Sequence, residues 1–234
     1  MLTMVKRLVG RTAPEATSAA AKGEPAEDKT ARRAAKAAGK AKTGAGKAAR
    51  PRFQAPPDDG KVRLNLGSGD KNLPGYVNVD VAPSRKGAAP DLLCDLRSLK
   101  LEDGYADELL SVHVIEHFYY WEVQELLAEW RRVIKPGGRI ELECPNLAYA
   151  AQQIVEDEGR LADASDGWRT TMFVLYGDPA WKDPLMCHRW GWTPRTLGAE
   201  LERAGFVEVR EEPALFKRGN PRDMRVVAVK PNEE

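Results

Sequence analysis

Short runs of alternating apolar and polar residues follow one another from about residue 60 onward, and most of them end at a glycine or an acid. The run at residues 61–66 leads directly into Gly67-Ser68-Gly69, which is typical of a strand that ends in a tight glycine loop. The same kind of pattern predicts further strands at residues 76–80, 91–95, 107–113, 139–144, 206–209 and 224–229.

Two longer segments have the period of an amphipathic helix. In the first, residues 121–133, the apolar residues recur every three or four positions, and residues 135–138 (Lys-Pro-Gly-Gly) predict a turn after it. The second helix is predicted from an N-cap at Thr193 through Ala204, with its end at Gly205.

Strands interleaved with helices favour an α/β fold. We therefore predict a Rossmann-like, doubly wound sheet that is mostly parallel. Only a loop separates residues 206–209 from residues 224–229, so these two strands predict an antiparallel edge.

The charge is distributed unevenly along the 234 residues. Residues 1–52 hold 13 Lys/Arg and 4 Asp/Glu and are rich in alanine, whereas the whole chain has a net charge of only +1. A segment with so few large apolar residues cannot bury enough surface to offset its ordering entropy. We predict a disordered basic arm at residues 1–58 and one domain at residues 59–234. The arm is either a solubilising extension or a weak ligand of anionic polymers.

Other features narrow the class of protein. No apolar run approaches the roughly 18 residues that cross a bilayer, so we expect no membrane insertion. The three cysteines are widely spaced and odd in number, which argues against a disulfide framework or a four-cysteine zinc site. A reducing, cytoplasmic location is the expectation.

The strand ends predict a binding site, because ligands of open α/β sheets lie at the carboxyl ends of the strands. Gly67 and Gly69 let the backbone approach a ligand closely. Asp80, at the end of the second strand, suits a ribose diol, and Asp95 suits an exocyclic amine such as that of adenine. Alternatively, both acids only cap turns.

The glycine loop does not fit a dinucleotide. Residue 72 is Asn, where the G-x-G-x-x-G fingerprint requires glycine, and Asp80 follows Gly69 too closely to leave room for a full helix. The chain also has no P-loop motif. A cofactor that contains adenosine but no phosphate fits better.

Taken together, the motifs resemble those of class I S-adenosylmethionine-dependent methyltransferases, closest to the branch often described as type 11. They occur in the family's order at residues 64–69 (LNLGSG), 75–80 (GYVNVD), 95–96 (DL), 113–118 (HVIEHF), 132–139 (RVIKPGGR) and 188–193 (HRWGWT). The resemblance covers roughly residues 61–230.

The resemblance implies S-adenosyl-L-methionine as the cofactor and a role for each matching residue. The loop of Leu66, Gly67, Ser68 and Gly69 would lie against its methionine part, Asp80 would bind the ribose, Asp95 and Leu96 would hold the adenine, and His113 would lie beside the transferring methyl group. Family members commonly carry an acid where this chain has Asn65, which can still hydrogen-bond the cofactor but without a charge.

Histidine titrates in the range that a general base requires, so His113 and, second, His188 are the catalytic candidates. Candidate acceptor contacts are His117, Tyr176, Arg189, Trp190 and Trp192, although the aromatic residues could equally form a packed cover. The expected acceptor is a small molecule, a glycan or a nucleotide sugar.

Three other functions compete with this interpretation. One is a nucleic-acid methyltransferase aided by the arm, and another is a non-catalytic subunit that only binds the cofactor. The third is a metallopeptidase, since His113-x-x-Glu116-His117 matches H-x-x-E-H. That motif needs both histidines on one helix face, but here it follows a strand and the sequence shows no third ligand. We predict no metal site.

Overall fold

The computed structural model describes residues 53–83, 87, 89–156, 166–217 and 219–232, which belong to a compact unit spanning Ala48–Glu234. Residues 1–52 of the predicted arm, which spans residues 1–58, lie outside the described residues. The described strands are β1 Arg63–Leu66, β2 Val77–Asp80, β3 Leu92–Leu93, β4 Ala106–Val112, β5 Ile134–Pro145, β6 Val207–Glu212 and β7 Asp223–Val229. The described α-helices are α1 Val123–Val133, α2 Leu147–Glu156, α3 Asp166–Tyr176 and α4 Pro194–Arg203.

The described strands form one sheet in the order β3-β2-β1-β4-β5-β7-β6. Strands β3, β2, β1, β4 and β5 are parallel, whereas β7 pairs antiparallel with both β5 and β6. The strand order reverses between β1 and β4, which is the switch point of a doubly wound sheet. The predicted Rossmann-like α/β fold with an antiparallel edge is confirmed.

One side of the sheet carries the hydrophobic core. Strands β1, β4 and β5 contribute buried leucines and isoleucines, and α1 and α4 pack against them. All the apolar positions that predicted α1 are buried: Val123, Leu126, Leu127, Trp130 and Val133. Helix α4 begins as predicted, because the Thr193 side chain accepts a hydrogen bond from the Thr196 amide at 3.2 Å.

The turn predicted at residues 135–138 is instead a bulge within β5. Ala106 pairs with Ile134 and Glu108 pairs with Arg139, so β5 holds the extra residues. Gly138 cannot be replaced here without movement, since an added Cβ would lie 2.6 Å from the Ile134 Cγ2.

Segment 53–58 contacts the domain, although it was predicted to belong to the arm. The Phe53 ring lies 5.1 Å from the Phe216 ring and 6.0 Å from the Tyr76 ring, centroid to centroid. The contact with the domain therefore begins no later than residue 53. In the described part of the chain, no helix has both the length and the apolar character needed to cross a bilayer.

A carboxylate on α1 holds the loop that follows β3. Glu129 accepts hydrogen bonds from the Leu99 amide at 2.6 Å and from the Arg132 guanidinium at 2.7 and 2.8 Å. The hydrogen bonds from Arg132 hold the pKa of Glu129 below its ordinary value of 4.5. The ionised carboxylate therefore stabilises the fold above the pKa of the unfolded chain, and this contribution is lost as the pH falls through the folded pKa.

We expect Glu129→Gln to lower the free energy of unfolding by about 1–2 kcal/mol at pH 7, because hydrogen bonds to a charged group are lost. The difference from the unchanged protein should shrink as the pH falls below about 4. Urea unfolding at the two pH values measures both effects. Glu125→Gln, at an exposed position on the same helix, is the matched control and should change neither value. An equal loss for Glu129→Gln at both pH values would contradict the argument.

Candidate functional site

The glycine loop at the end of β1 is folded back onto β2. The amides of Gly67 and Ser68 both donate to the Val79 carbonyl, at 2.8 and 3.1 Å. Gly67 and Gly69 have φ angles of +72° and +57°, in the left-handed region that favours glycine. A Cβ on Gly67 would also lie 2.2 Å from the Val114 Cγ2. The position therefore needs glycine both for its backbone and for its space.

Asp80 lies against this loop, as the sequence predicted. Its Oδ2 accepts a hydrogen bond from the Gly69 amide at 2.8 Å, and its Oδ1 accepts one from the Ala82 amide at 2.9 Å. The carboxylate is half-buried and keeps further lone pairs. The structure therefore brings the loop and the acid together at the switch point.

The loop has features that suit a bound ligand. The Ser68 Oγ is buried and has no hydrogen-bond partner in the described residues. Around Gly69, no described atom lies within 4 Å of where a Cβ would be. A buried hydroxyl without a partner beside an open backbone fits a small polar group, such as the amino-acid end of a nucleoside cofactor.

Two residues of the β1 motif, Asn65 and Leu66, have buried side chains. The Asn65 amide nitrogen donates to the Asn78 Oδ1 at 2.9 Å, and the Asn65 side chain is only 4% exposed. This amide therefore links β1 to β2, and the contact of Asn65 with the cofactor stays a prediction. The Leu66 side chain is fully buried in the core, so only its backbone is available to the loop.

Asp95 follows β3 and lies near Asp80 through the backbone, because the Cys94 amide donates to the Asp80 carbonyl at 2.9 Å. Its carboxylate pairs with Arg97 at 2.8 Å, and these hydrogen bonds hold the pKa of Asp95 below its ordinary range. The neighbouring Leu96 is a core residue whose carbonyl accepts from the Trp130 indole at 3.0 Å. The adenine contact of Asp95 and Leu96 stays a prediction.

The three histidines of the chain come together around Glu116, after the end of β4. His113 has a φ of +57°, which is rare for a residue other than glycine, and its amide donates to the Glu143 carbonyl at 2.7 Å. Its Nδ1 lies 3.4 Å from the Glu116 Oε1. The His188 Nε2 lies 3.9 Å from the same oxygen, and the His117 and His188 rings meet edge to face at 5.0 Å.

Backbone carbonyls orient the two later histidines. The His117 Nδ1 lies 3.1 Å from the Cys187 carbonyl, and the His188 Nδ1 lies 2.9 Å from the Val174 carbonyl. Burial lowers the pKa of His188 below its ordinary range. Helix α3, which supplies Val174, was not predicted from the sequence. The contact between His188 and Val174 could therefore not be predicted either.

Two buried acids that the sequence analysis did not select lie on the other side of His113. The Asp223 Oδ1 is 3.5 Å from the His113 Nε2 and also pairs with Arg222. The Glu143 carboxylate accepts from the amides of residues 215, 216 and 217, at 2.6 to 3.1 Å. In the sequence, one signal pointed to these acids: in the alternating pattern of the predicted strand at residues 139–144, Glu143 occupies a polar position near the strand end.

Exposed aromatic rings flank the histidine cluster. Tyr119 stacks on Trp121 with centroids 4.4 Å apart, and Tyr120 stacks on Trp190 at 4.7 Å. We name these four residues the aromatic platform. The Arg189 guanidinium lies 4.8 Å above the Tyr119 ring.

The other predicted acceptor residues differ in exposure. Trp192 is 1% exposed and packs in the core, and its contact with the acceptor stays a prediction. The sequence does not distinguish Trp192 from the exposed Trp190, which lies two positions earlier. In the structure, the Trp192 carbonyl accepts a hydrogen bond from the Leu147 amide at 2.8 Å, which holds the residue in the interior. Tyr176 ends α3 and is exposed.

Residues 75–142 match the family model of a methyltransferase domain, and they contain Asp80, Asp95 and the motif that begins at His113. The strand order and the glycine loop agree with this match. This match to a methyltransferase domain supports the predicted class I S-adenosylmethionine-dependent family and its cofactor, S-adenosyl-L-methionine.

Several solved structures of methyltransferases are similar to this chain at low sequence identity. A SAM-dependent methyltransferase from Archaeoglobus fulgidus is 18% identical over 73% of this chain and 86% of its own, with a TM-score of 0.47. One from Methanosarcina mazei is 16% identical over 77% and 95%, also with a TM-score of 0.47. The 1,6-didemethyltoxoflavin-N1-methyltransferase of Burkholderia thailandensis is 14% identical over 78% and 72%, with a TM-score of 0.48. Comparison with curated proteins found no match.

Proposed function

We propose that this methyltransferase transfers a methyl group from S-adenosyl-L-methionine to a small-molecule acceptor that contains a sugar, either a glycan or a nucleotide sugar. One observation carries the proposal. Because β1 pairs with both β2 and β4, the glycine loop and Asp80 lie at strand ends beside the strand that His113 follows. The proposed donor site and the start of the proposed acceptor surface therefore lie at the carboxyl ends of neighbouring strands.

The donor side consists of the loop at residues 66–69 and Asp80. The bound cofactor supplies an electrophilic methyl group on its sulfonium, so the protein mainly has to position the two reactants. The Gly69 amide fixes one carboxylate oxygen of Asp80, which leaves the remaining lone pairs for ribose hydroxyls. The Ser68 hydroxyl is available for the amino-acid end of the cofactor.

The acceptor side is joined to the histidine cluster through the backbone. The Glu116 carbonyl accepts hydrogen bonds from the amides of Arg189 and Trp190, at 2.7 and 3.2 Å. Trp190, one of the four residues of the platform, is therefore fixed to the backbone of Glu116, three residues after His113. Flat aromatic faces suit the apolar faces of a sugar ring, and Arg189 suits a phosphate or carboxylate on the same molecule.

His113 is the residue that we propose faces the acceptor hydroxyl. Its Nε2 is buried without a hydrogen-bond partner in the described residues, and the nearest carboxylate oxygen, the Asp223 Oδ1, lies 3.5 Å away. The Nδ1 of His188 is already in hydrogen-bond contact with the Val174 carbonyl. We therefore propose that His113 contacts the acceptor directly as the general base and that His188 lies behind His113.

Two measurements test the proposal. Calorimetry with S-adenosylhomocysteine measures the donor site, and no binding to well-folded protein would refute it. Transfer of labelled methyl from S-adenosylmethionine to a panel of sugars, nucleotide sugars and nucleic acids measures the acceptor. Labelled sugars support the proposal, whereas labelled nucleic acid alone contradicts the acceptor class. Cofactor binding with no transfer to any acceptor contradicts turnover.

Trp121 is the most exposed member of the platform, with 74% of its surface accessible. We expect Trp121→Ala to raise the KM for the acceptor about tenfold, the equivalent of one lost stacking contact of roughly 1.4 kcal/mol. Cofactor affinity should stay unchanged. Trp181→Ala, an exposed tryptophan outside the platform, is the matched control for initial-rate measurements. An unchanged KM for the Trp121 variant would remove the platform from acceptor binding.

A further inference from the structure

Glu116 has a buried carboxyl group that the proposed methyl transfer does not use. The residue is 2% exposed, and neither of its carboxylate oxygens has a hydrogen-bond partner in the described residues. The nearest imidazole nitrogens, on His113 and His188, are 3.4 and 3.9 Å from its Oε1. A buried carboxylate without a partner costs several kcal/mol, so the position indicates a cation that compensates it.

The two later histidines have their ring nitrogens set for metal binding. A carbonyl oxygen only accepts hydrogen bonds, so the contacts with Cys187 and Val174 require a proton on the Nδ1 of His117 and of His188. In a neutral ring, the Nε2 then keeps its lone pair. Histidine ligands of metals usually have this outer contact, which fixes the tautomer and the ring orientation.

These three side chains also have suitable spacing. One ligand atom each from Glu116, His117 and His188 lies within 4.8 Å of the others. Zinc binds nitrogen and oxygen at about 2.0–2.2 Å, so small side-chain rotations bring the three atoms onto one ion. The three residues come from the turn after β4 and from the segment before α4, which the Glu116 carbonyl holds together.

We propose that Glu116, His117 and His188 bind a divalent transition-metal ion, with Zn²⁺ as the best match. Two imidazoles and one carboxylate form a ligand set that zinc takes at sites with an open position. The remaining coordination position is then available for water or for an oxygen of a bound molecule. The sequence motif H-x-x-E-H did not reveal this set, because its first histidine is not a member and the third ligand is His188.

A second group of similar residues lacks the same argument. His113, Glu143 and Asp223 also lie close enough to hold an ion. However, the Glu143 carboxylate already accepts hydrogen bonds from three backbone amides, and Asp223 pairs with Arg222. Their charges are compensated by the protein itself, so we propose the metal only at Glu116.

The test uses the full chain, stripped of metal by a chelator, and the metal alone without cofactor or acceptor. Its outcome is therefore independent of the proposed methyl transfer. Competition with a chromophoric chelator should give one tightly bound Zn²⁺ per chain. Co²⁺ in its place should give the visible d–d bands of a site with nitrogen and oxygen ligands, without thiolate charge transfer. Absence of binding by either ion overturns the proposal.

Variants identify the ligands. Glu116→Gln and His188→Ala should each weaken Zn²⁺ binding by more than about 100-fold, since even loss of an outer-shell partner costs about 10–100-fold. Cys187→Ser is the control, because the thiol of Cys187 is free and exposed beside the site. Loss of binding in Cys187→Ser alone would assign the ion to the thiol and overturn the ligand set. Circular dichroism of each apo variant separates a lost ligand from a lost fold, and the Co²⁺ spectrum of the unchanged protein stands without any variant.

Discussion

Replacing Asp80 with alanine is expected to weaken the binding of S-adenosylhomocysteine by about 100-fold. The change removes the carboxylate that we propose for the ribose hydroxyls, and each hydrogen bond to a charged group contributes about 1.5–3 kcal/mol. It also removes the acceptor for the Gly69 amide, so the loop loses the contact that holds it beside β2. Isothermal titration calorimetry measures the change directly.

Asp80→Asn separates the two contributions. An asparagine oxygen can still accept from the Gly69 amide, but the amide group carries no charge and turns two donors toward the ribose side. We expect an intermediate loss of about tenfold, with thermal unfolding close to that of the unchanged protein. If alanine and asparagine both leave the affinity intact, Asp80 does not bind the cofactor.

Glu143→Ala is the substitution that should destabilise the fold most. Its carboxylate is fully buried and accepts hydrogen bonds from the amides of residues 215–217, which belong to the loop between β6 and β7. Alanine leaves these donors without a partner and opens a cavity at the end of β5. We expect the free energy of unfolding to fall by about 3 kcal/mol, since each buried unsatisfied group costs about 1–3 kcal/mol.

Urea unfolding at pH 7 measures this loss. Glu211→Ala is the control, because Glu211 is an exposed glutamate on β6 and should change the free energy of unfolding by less than about 0.5 kcal/mol. Similar small changes in both variants would show that the loop does not depend on Glu143.

Local sequence patterns predicted the parts of the fold that are stabilised locally. Helix α1 and the parallel strands follow the period of their apolar residues, and the Thr193 cap fixes the start of α4. Helix α2 was not predicted, although Leu147, Ala150 and Ile154 have helical spacing; of its ten residues only Ala150 is buried. The bulge at residues 135–138 escaped because its glycines are equally typical of a turn.

The candidate site could be predicted only where its residues lie at neighbouring strand ends. Asp80 and the glycine loop are such a case, since parallel pairing of β1 and β2 brings them together. Asp223 reaches His113 only because β7 enters the sheet beside β5, and His188 reaches Glu116 through backbone contacts. No local period of the sequence encodes either approach, so the histidine cluster became visible only in three dimensions.

The two outer strands also determine whether this sheet can pair with a strand of another molecule. At one side β3 is only two residues long, and at the other β6 consists largely of exposed or half-exposed charged residues. Strand β6 is also bulged between Val207 and Arg210, with Glu208 at a φ of +53°. Short, charged and irregular borders are poor templates for an added strand. The character of these two strands therefore protects the sheet against aggregation through its open backbone groups.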